Sequence, residues 1–397
     1  MNKKTIRDID IANKRVLVRV DFNVPLDEQR QITDDARIVA ALPTIEYLLN
    51  NGARVILMSH LGRPDGQIVE KLRLTPVAQR LSNLLHTTVQ TVPDCIGPQV
   101  EAAATALQPS QVLLLENLRF HKEEEKNNPE FARQLASLGE IYVNDAFGTA
   151  HRAHASTEGV THYLPSVAGF LIEKEINFLG SALEHPRRPF VAVVAGAKVS
   201  DKIKVLERLL SIADAILIGG GMANTFLKAQ GYEIGDSLYE EARIDVAHDL
   251  IKKAQQQNKP FLLPTDVVIA DRFAADAERK VVAANQVTPS WRILDLGSQT
   301  VQHFRSVLDD AQTILWNGSL GVAEMPAFAV ATNELIAILS DRTQNGAITI
   351  VGGGDSAAAV DKAGAADRMT HVSTGGGASL EFLEGRILPG VAALEDK

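Results

Sequence analysis

The sequence predicts an α/β protein of two lobes. Each lobe is expected to be a parallel sheet flanked by helices, a Rossmann-like three-layer arrangement, with a single hinge helix joining the two. Three observations predict this. Strand-like and helix-like segments alternate along the whole chain, the pattern of parallel α/β architecture. The length of 397 residues suits two or three domains, each with its own core. Three glycine triplets, Gly219-Gly220-Gly221, Gly352-Gly353-Gly354 and Gly375-Gly376-Gly377, all lie in the second half, each between a short apolar run and a helix-like stretch. A glycine-lined turn from strand to helix lets backbone N–H groups and a helix N-terminus approach phosphate closely. The first half has no triplet; its apolar runs end in Asp, Asn, His and Arg.

In the first half, strands are predicted at Arg15–Val20, Arg54–Ser59, Val112–Glu116 and Ile141–Asn144. Helices are predicted at Ile38–Asn50, at Thr75–Leu85 with Pro76 in its first turn, and at Asn128–Ser137 with Pro129 at its start. The charge run HKEEEKNNPE reads as a solvated loop and helix entry without a function. GFLIEKEINFLGSALEH then has helical apolar spacing and meets Pro186 and Pro189, which stop a helix. This places the boundary at Phe170–Pro189, with domains 1–172 and 187–383 around a hinge helix at 173–186. In the second half, strands are predicted at Phe190–Ala195, Ala215–Ile218, Phe261–Leu263, Thr313–Trp316, Ile348–Val351 and His371–Ser373. Further β-type residues in Val281–Leu294 suggest a small excursion.

Composition narrows the function classes. A hydrophobic content of 45% with 22% charged residues is ordinary for a globular enzyme, and a net charge of −9 argues against general nucleic-acid binding. The single cysteine, Cys95, excludes an internal disulfide and a Cys-rich zinc site, and fits a reducing cytoplasm. MNKKTIRDIDIANKR has early lysines but no uninterrupted apolar stretch, so no secretory signal is expected. No run approaches the roughly 20 apolar residues of a membrane span. A cytoplasmic protein without membrane or nucleic-acid partners is expected.

Ligands of parallel α/β sheets bind beyond the carboxyl ends of the strands. In the first half, these ends lead into Asp21-Phe22-Asn23, His60-Leu61-Gly62-Arg63, Asn117-Leu118-Arg119 and, past Asp145, His151-Arg152, while Arg37 opens the first helix. Arg37, Arg63, Arg119, Arg152, His60 and His151 are therefore expected on one rim. Guanidinium forks bind carboxylate and phosphate bidentately, so a small molecule carrying both suits several arginines. Asp21 and Asn23 suit a hydroxyl between the two charged ends. His151 and His154 stand without a carboxylate-rich or Cys partner, so no metal pair is expected there.

In the second half, Lys198 and Lys202 follow a strand. They would share one helical face if the helix has begun by Lys198. Asp355, directly after the second triplet, is a candidate Mg²⁺ ligand or an N-cap. Gly375, Gly376 and Gly377 open a helix whose free N–H groups suit a phosphate in transfer. Asn317 and Glu324 belong to another strand-end loop, WNGSLGVAE, where a carboxylate suits ribose hydroxyls. No P-loop motif, G-x-S-x-G elbow, H-E-x-x-H or protein-kinase motif set occurs. Gly352-x-Gly354-x-x-Ala357 matches a dinucleotide fingerprint, but the next strand ends without the acidic residue an NAD ribose needs.

Taken together, these residues resemble the phosphoglycerate kinase family. The resemblance rests on RVDFNVP at Arg19–Pro25, SHLGRP at Ser59–Pro64, LLENLRF at Leu114–Phe120 and NDAFGTAHRAH at Asn144–His154. It continues through GAKVSDK at Gly196–Lys202, GGGMANTF at Gly219–Phe226, GGGDSAA at Gly352–Ala358 and HVSTGGGASLE at His371–Glu381. The length without long insertions is similar to that of bacterial members.

The resemblance implies a monomeric hinge-bending enzyme of glycolysis. It would transfer phosphate reversibly between 1,3-bisphosphoglycerate and MgADP, giving 3-phosphoglycerate and MgATP. By motif, Asp21, Asn23, Arg37, His60, Arg63, Arg119, His151 and Arg152 would bind the glycerate substrate. Lys198, Lys202, Gly220, Asn317, Glu324, Gly352, Gly353, Gly354, Asp355 and Ser356 would hold the nucleotide, with Asp355 on Mg²⁺. Arg37, Lys198, Gly375 and Gly376 would stabilise the phosphoryl group in transfer. The tail 384–397 would strap back onto the first lobe. Two positions depart from the family pattern: Ser319 replaces a proline and Ala323 an aromatic residue, which bears on the pose of Glu324. A nicotinamide-dependent two-domain dehydrogenase and a two-lobed solute-binding protein are the alternative classes.

Overall fold

Short runs of Val, Ile and Leu bounded by polar residues bury both faces when they pair in parallel, and that pairing organises this chain. A computed structural model describes residues 2–397. The chain divides into two units: one runs to Asn177 and takes in Ile387–Lys397, and the other is Phe178–Arg386. The division falls inside the helix Phe170–Glu184.

The first unit is built on β1 (Arg15–Val20), β2 (Arg54–Met58), β3 (Val89–Thr91), β4 (Val112–Leu114), β5 (Ile141–Asp145) and β6 (Ser166–Ala168). They form one parallel sheet in the order β3-β4-β2-β1-β5-β6. Helix Ala36–Asn50 buries Ile38, Ala41, Ile45 and Leu48, the three-and-four spacing of a face laid on a sheet. Each such Ile or Leu contributes about 1.5–3 kcal/mol by leaving water. The tail closes this unit. Asp396 bridges Lys3 in antiparallel fashion, Lys4 N donates to Glu395 O at 2.9 Å, and Asn144 Nδ2 donates to Gly390 O at 2.8 Å.

The second unit holds β7 (Phe190–Val194), β8 (Ala215–Ile218), β9 (Phe261–Leu262), β10 (Asp266–Ala270), β11 (Arg279–Ala283), β12 (Arg292–Leu296), β13 (Thr313–Asn317), β14 (Ile348–Gly352) and β15 (His371–Val372). Six of these make a parallel sheet in the order β15-β14-β13-β7-β8-β9, and β11-β10-β12 make a separate antiparallel sheet. The excursion expected in Val281–Leu294 is therefore two strands of that small sheet. Each glycine triplet lies at the carboxyl end of a parallel strand, β8, β14 or β15, and runs into a helix. Among the described residues, no helix is long and apolar enough to cross a membrane.

Three strands are absent from the sequence prediction. In β3 only Val89 is buried, so no apolar run marks it, and β6 spans only Ser166–Ala168. β10 follows β9 across Pro264, so the two read as one broken segment. β4 also ends earlier than predicted. Glu116 has left the ladder to accept from Leu74 N and Asn117 N, both at 2.9 Å, and to pair with Arg73 at 3.1 Å.

Candidate functional site

Each unit presents its own constellation beyond the carboxyl ends of its strands. In the first unit, the end of β1 turns at Asp21, whose Oδ2 accepts from Arg37 Nη1 at 2.7 Å. Arg37 reaches it from the first turn of helix Ala36–Asn50. The turn is pinned from both sides: Phe22 N donates to Ser59 Oγ at 2.9 Å, and Gly62 N to Asn23 Oδ1 at 2.8 Å. Asn117 places Arg119 by capping the short helix Leu118–Phe120. Arg119 is buried, donates to Gly62 O at 2.8 Å and pairs with Glu125 at 3.2 Å. Arg63 is exposed and has no protein partner among the described residues. Arg152 is half-buried and donates from Nε to Nε2 of His151 at 3.2 Å.

His60 lies beneath this rim, 3% exposed. Burial, then the charges of Arg19, Arg119 and Arg37, hold its imidazole well below the ordinary histidine value. His154 is lowered to about 3 by the same causes in the same order, burial and then Arg19 and Arg119. Burial first, and then nearby guanidinium charge, favours the neutral form of both rings.

The charge run at His121 needs correction. Its Glu124 is fully buried rather than solvated, accepting from Ser156 N at 3.0 Å and Ser156 Oγ at 2.5 Å. Arg19, a charged residue inside β1, is also buried and donates from Nε to Ser156 Oγ at 2.8 Å. Sequence reasoning missed both. The available signal was an arginine in the middle of an apolar strand, which a folded core tolerates only with partners.

In the second unit, the helix after β7 begins at Ile203, with Lys202 at its N-cap. The shared helical face proposed for Lys198 and Lys202 therefore does not exist: Lys198 is exposed in the preceding turn. Lys202 instead turns inward to Asn317 Oδ1 at the end of β13. Burial lowers its ammonium from the ordinary lysine value, against the opposing pull of Asp355 and Asp201. Asp355 is exposed in the first turn of helix Gly354–Lys362, one residue past that helix's start, so it is not the N-cap. Gly353 holds the N-cap place with φ 94°. The hydroxyl of Ser356 bonds Gly352 O at 2.5 Å and accepts from Gly318 N at 3.3 Å, bracing β13 against β14.

Gly220 shows why glycine is required at one of these turns. Its φ is 68°, and a Cβ there would stand 2.6 Å from both N and O of Gly196. Gly375 N donates to Ser373 Oγ at 3.2 Å, and Gly376, with φ 49°, caps helix Gly377–Leu383.

A cleft of about 470 Å³ opens beside these turns. Gly196, Gly220, Gly221, Glu324 and Asp355 meet there with an apolar wall that includes Leu238, Leu296 and Val322. This wall was not predicted, because its residues come from loops and strands far apart in sequence. Its size suits a small organic ligand. Asn317 Nδ2, buried without a protein partner, is a donor waiting for an acceptor such as a phosphate oxygen. Asp355 supplies the hard oxygen that Mg²⁺ takes alongside substrate phosphates, so the residues fit that ion. A larger depression of about 940 Å³ lies in the first unit between residues 29–35 and helix Thr75–Leu85. There Arg80 pairs with Asp35 at 2.7 Å and Arg73 with Glu70 at 2.8 Å, while Arg30 Nε is buried without a hydrogen-bond partner among the described residues.

An anion grip made of side chains in one unit, and phosphate-sized backbone turns beside an apolar cleft in the other, define a class: a phosphotransferase acting on a small acidic metabolite. Comparison with known proteins supplies the family. Residues 6–386 match the family model described as phosphoglycerate kinase. The chain is 61% identical over 397 residues to the phosphoglycerate kinase of Moorella thermoacetica, covering 100% of both. It is 59% identical over 398 residues to that of Chloroflexus aggregans, again covering 100% of both. Among solved structures it resembles phosphoglycerate kinase from Coxiella burnetii, with a TM-score of 0.89, 44% identity and 98% of each chain covered. For the Pyrococcus horikoshii enzyme the TM-score is 0.85 at 34% identity, also over 98% of each chain. The chain belongs to the phosphoglycerate kinase family. It is accordingly an enzyme of glycolytic phosphoryl transfer, acting between 1,3-bisphosphoglycerate with ADP and 3-phosphoglycerate with ATP.

Proposed function

We propose a division of this reaction between the units. The first, with its returning tail, takes the glycerate substrate on Asp21, Asn23, Arg37, His60, Arg63, Arg119, His151 and Arg152. The second takes the nucleotide on Lys198, Lys202, Gly220, Asn317, Glu324, Gly352–Gly354, Asp355 and Ser356. The observation that supports this best is the convergence of side chains at the ends of β1, β2 and β4: Arg37 meets Asp21 at 2.7 Å, Asn23 accepts from Gly62 N at 2.8 Å, and Arg119 donates to Gly62 O at 2.8 Å, with His60 buried beneath them.

The acceptor is already an anion, either a carboxylate or an ADP phosphate oxygen, so no general base is required. Catalysis is positioning plus neutralisation of the charge on the transferred phosphoryl oxygens. Arg37, Lys198, Gly375 and Gly376 take that role, the Gly375 N–H exchanging Ser373 Oγ for a phosphoryl oxygen. Asp355 would hold Mg²⁺, which when bound neutralises nucleotide phosphate charge. Helix Phe170–Glu184 serves as the hinge, and closure excludes water from the transfer. The enzyme acts as a monomer in the cytoplasm.

Steady-state kinetics with each substrate varied in turn test the division. Arg119→Ala should raise KM for 3-phosphoglycerate and leave KM for MgATP nearly unchanged; Lys202→Ala should do the reverse. Equal effects of either variant on both constants would refute the assignment.

A further inference from the structure

We propose that Arg19, Ser156 and Glu124 form a positioning relay that holds His60 as its neutral Nε2–H tautomer, so that the ring offers an anionic substrate a hydrogen-bond donor without a further charge. The geometry leaves little freedom. A guanidinium has five donors and no acceptor. Arg19 Nη2 lies 3.1 Å from His60 Nδ1, so that nitrogen carries the lone pair and the ring proton sits on Nε2.

Arg19 cannot turn away. It is 1% exposed, donates from Nη1 to Val20 O, and donates from Nε to Ser156 Oγ at 2.8 Å. Because Ser156 Oγ accepts that bond, its single proton goes on to Glu124 Oε1 at 2.5 Å, while Ser156 N binds Glu124 Oε2 at 3.0 Å. The chain of donors therefore runs one way from Arg19 through Ser156 to Glu124, and in the other direction Arg19 ends on His60. Glu124, with no exposed surface, supplies the buried counter-charge that Arg19 needs.

Burial and the nearest cations favour the neutral ring, and Asp21 is the carboxylate that approaches it. Arg19 on β1, Arg119 after β4 and Arg37 on the first helix oppose a proton there, in that order; His154, itself held neutral, adds little. Asp21 Oδ1 lies 4.0 Å from Nδ1, but its carboxylate already pairs with Arg37 at 2.7 Å. A free imidazole changes charge between about pH 5 and 8. Locking it neutral removes that change from substrate binding at the rim. Arg19 touches no substrate in this scheme and acts through His60.

The inference rests on the reading of the rim as the glycerate site, and one experiment separates the two. The full-length enzyme is labelled with ¹⁵N histidine, and the His60 ring signals are assigned by their loss in His60→Gln. Without ligand, the spectrum should show Nε2 protonated, Nδ1 accepting, and no titration across about pH 5–8. A proton on Nδ1, or titration near the free-imidazole value of about 6.5, overturns the relay. Adding 3-phosphoglycerate should move the Nε2–H signal. The proposed tautomer with no response to saturating 3-phosphoglycerate overturns the donor role and the rim reading while leaving the tautomer assignment intact. In Arg19→Met, the ratio of variant to wild-type KM for 3-phosphoglycerate should gain an ionisation near pH 6.5, which Arg19→Lys should suppress. A pH-independent loss of activity in Arg19→Met would mean that Arg19 only supports the fold. If that variant does not fold, the wild-type spectrum decides.

Discussion

Replacing Asp145 by asparagine should alter how the stability of the first unit depends on pH. Asp145 ends β5, is fully buried, and accepts the N–H of Leu171 at 2.8 Å in the first turn of helix Phe170–Glu184. Burial, the largest influence, raises its carboxyl from 3.8 to about 7, against hydrogen bonds from Thr44, Leu171 and Ile172. The fold therefore keeps a proton that the unfolded chain releases at lower pH. For a group raised on folding, the stabilisation is complete below the unfolded value and is lost as pH rises through the folded one. At 1.36 kcal/mol per unit, a rise of this size is worth about 4 kcal/mol, lost progressively between about pH 4 and 7.

Asparagine cannot titrate. The stability of wild type relative to Asp145→Asn should thus fall by roughly 3 kcal/mol between about pH 5 and pH 8. Cys95 is buried in the first unit, so its reactivity toward a thiol reagent during urea titration reports the opening of that unit's interior. Both proteins are compared at each pH, which cancels the intrinsic pH dependence of the labelling. A constant difference across the range would mean that the carboxyl titrates normally in the fold, and the argument from burial would fail.

Arg37→Ala should lower kcat by about 10²–10³ with an unchanged circular dichroism spectrum, since the side chain makes one ion pair and is 37% exposed. Near-normal turnover would reject its role in transfer. Gly220→Ala should destabilise the second unit by about 1–3 kcal/mol and raise KM for MgATP, because it combines φ 68° with a Cβ 2.6 Å from the Gly196 backbone. A variant of wild-type stability would contradict the close approach. Small-angle scattering should show a smaller radius of gyration with both substrates bound than with either alone. No compaction would count against hinge closure.

Most strands bearing the motifs were legible in the sequence because Val, Ile and Leu cluster there and stop at Asp, His, Asn or Gly. Sheet order was not, since nothing local reports that β1 lies between β2 and β5. β3 and β6 were missed because each carries a single large apolar residue, Val89 and Val167, whereas the equally short β4 is the apolar run Val112–Leu114. The glycine triplets and the arginines that follow strands were visible as residue types at turns. The Arg19–Ser156–Glu124 chain was not, because its members are far apart in sequence and Glu124 stands among other charges that read as solvated. Lys202 was noticed for the wrong reason: spacing along a helix suggested its role, whereas the observed helix starts one residue later. The walls of the cleft came from Leu238, Leu296 and Val322, which carry no motif.

The pairing of Lys4 with Glu395 and of Asn144 with Gly390 has a consequence for the order in which the molecule is made. A chain emerging from the ribosome presents the first unit's sheet early, yet the residues that bridge Lys3 and bond Asn144 are synthesised only after the whole second unit. The second unit, contiguous from Phe178 to Arg386, has all its residues before then. The unit that begins first is thus completed after the other, and translation interrupted before Ile387 would leave Lys3 and Asn144 without these partners.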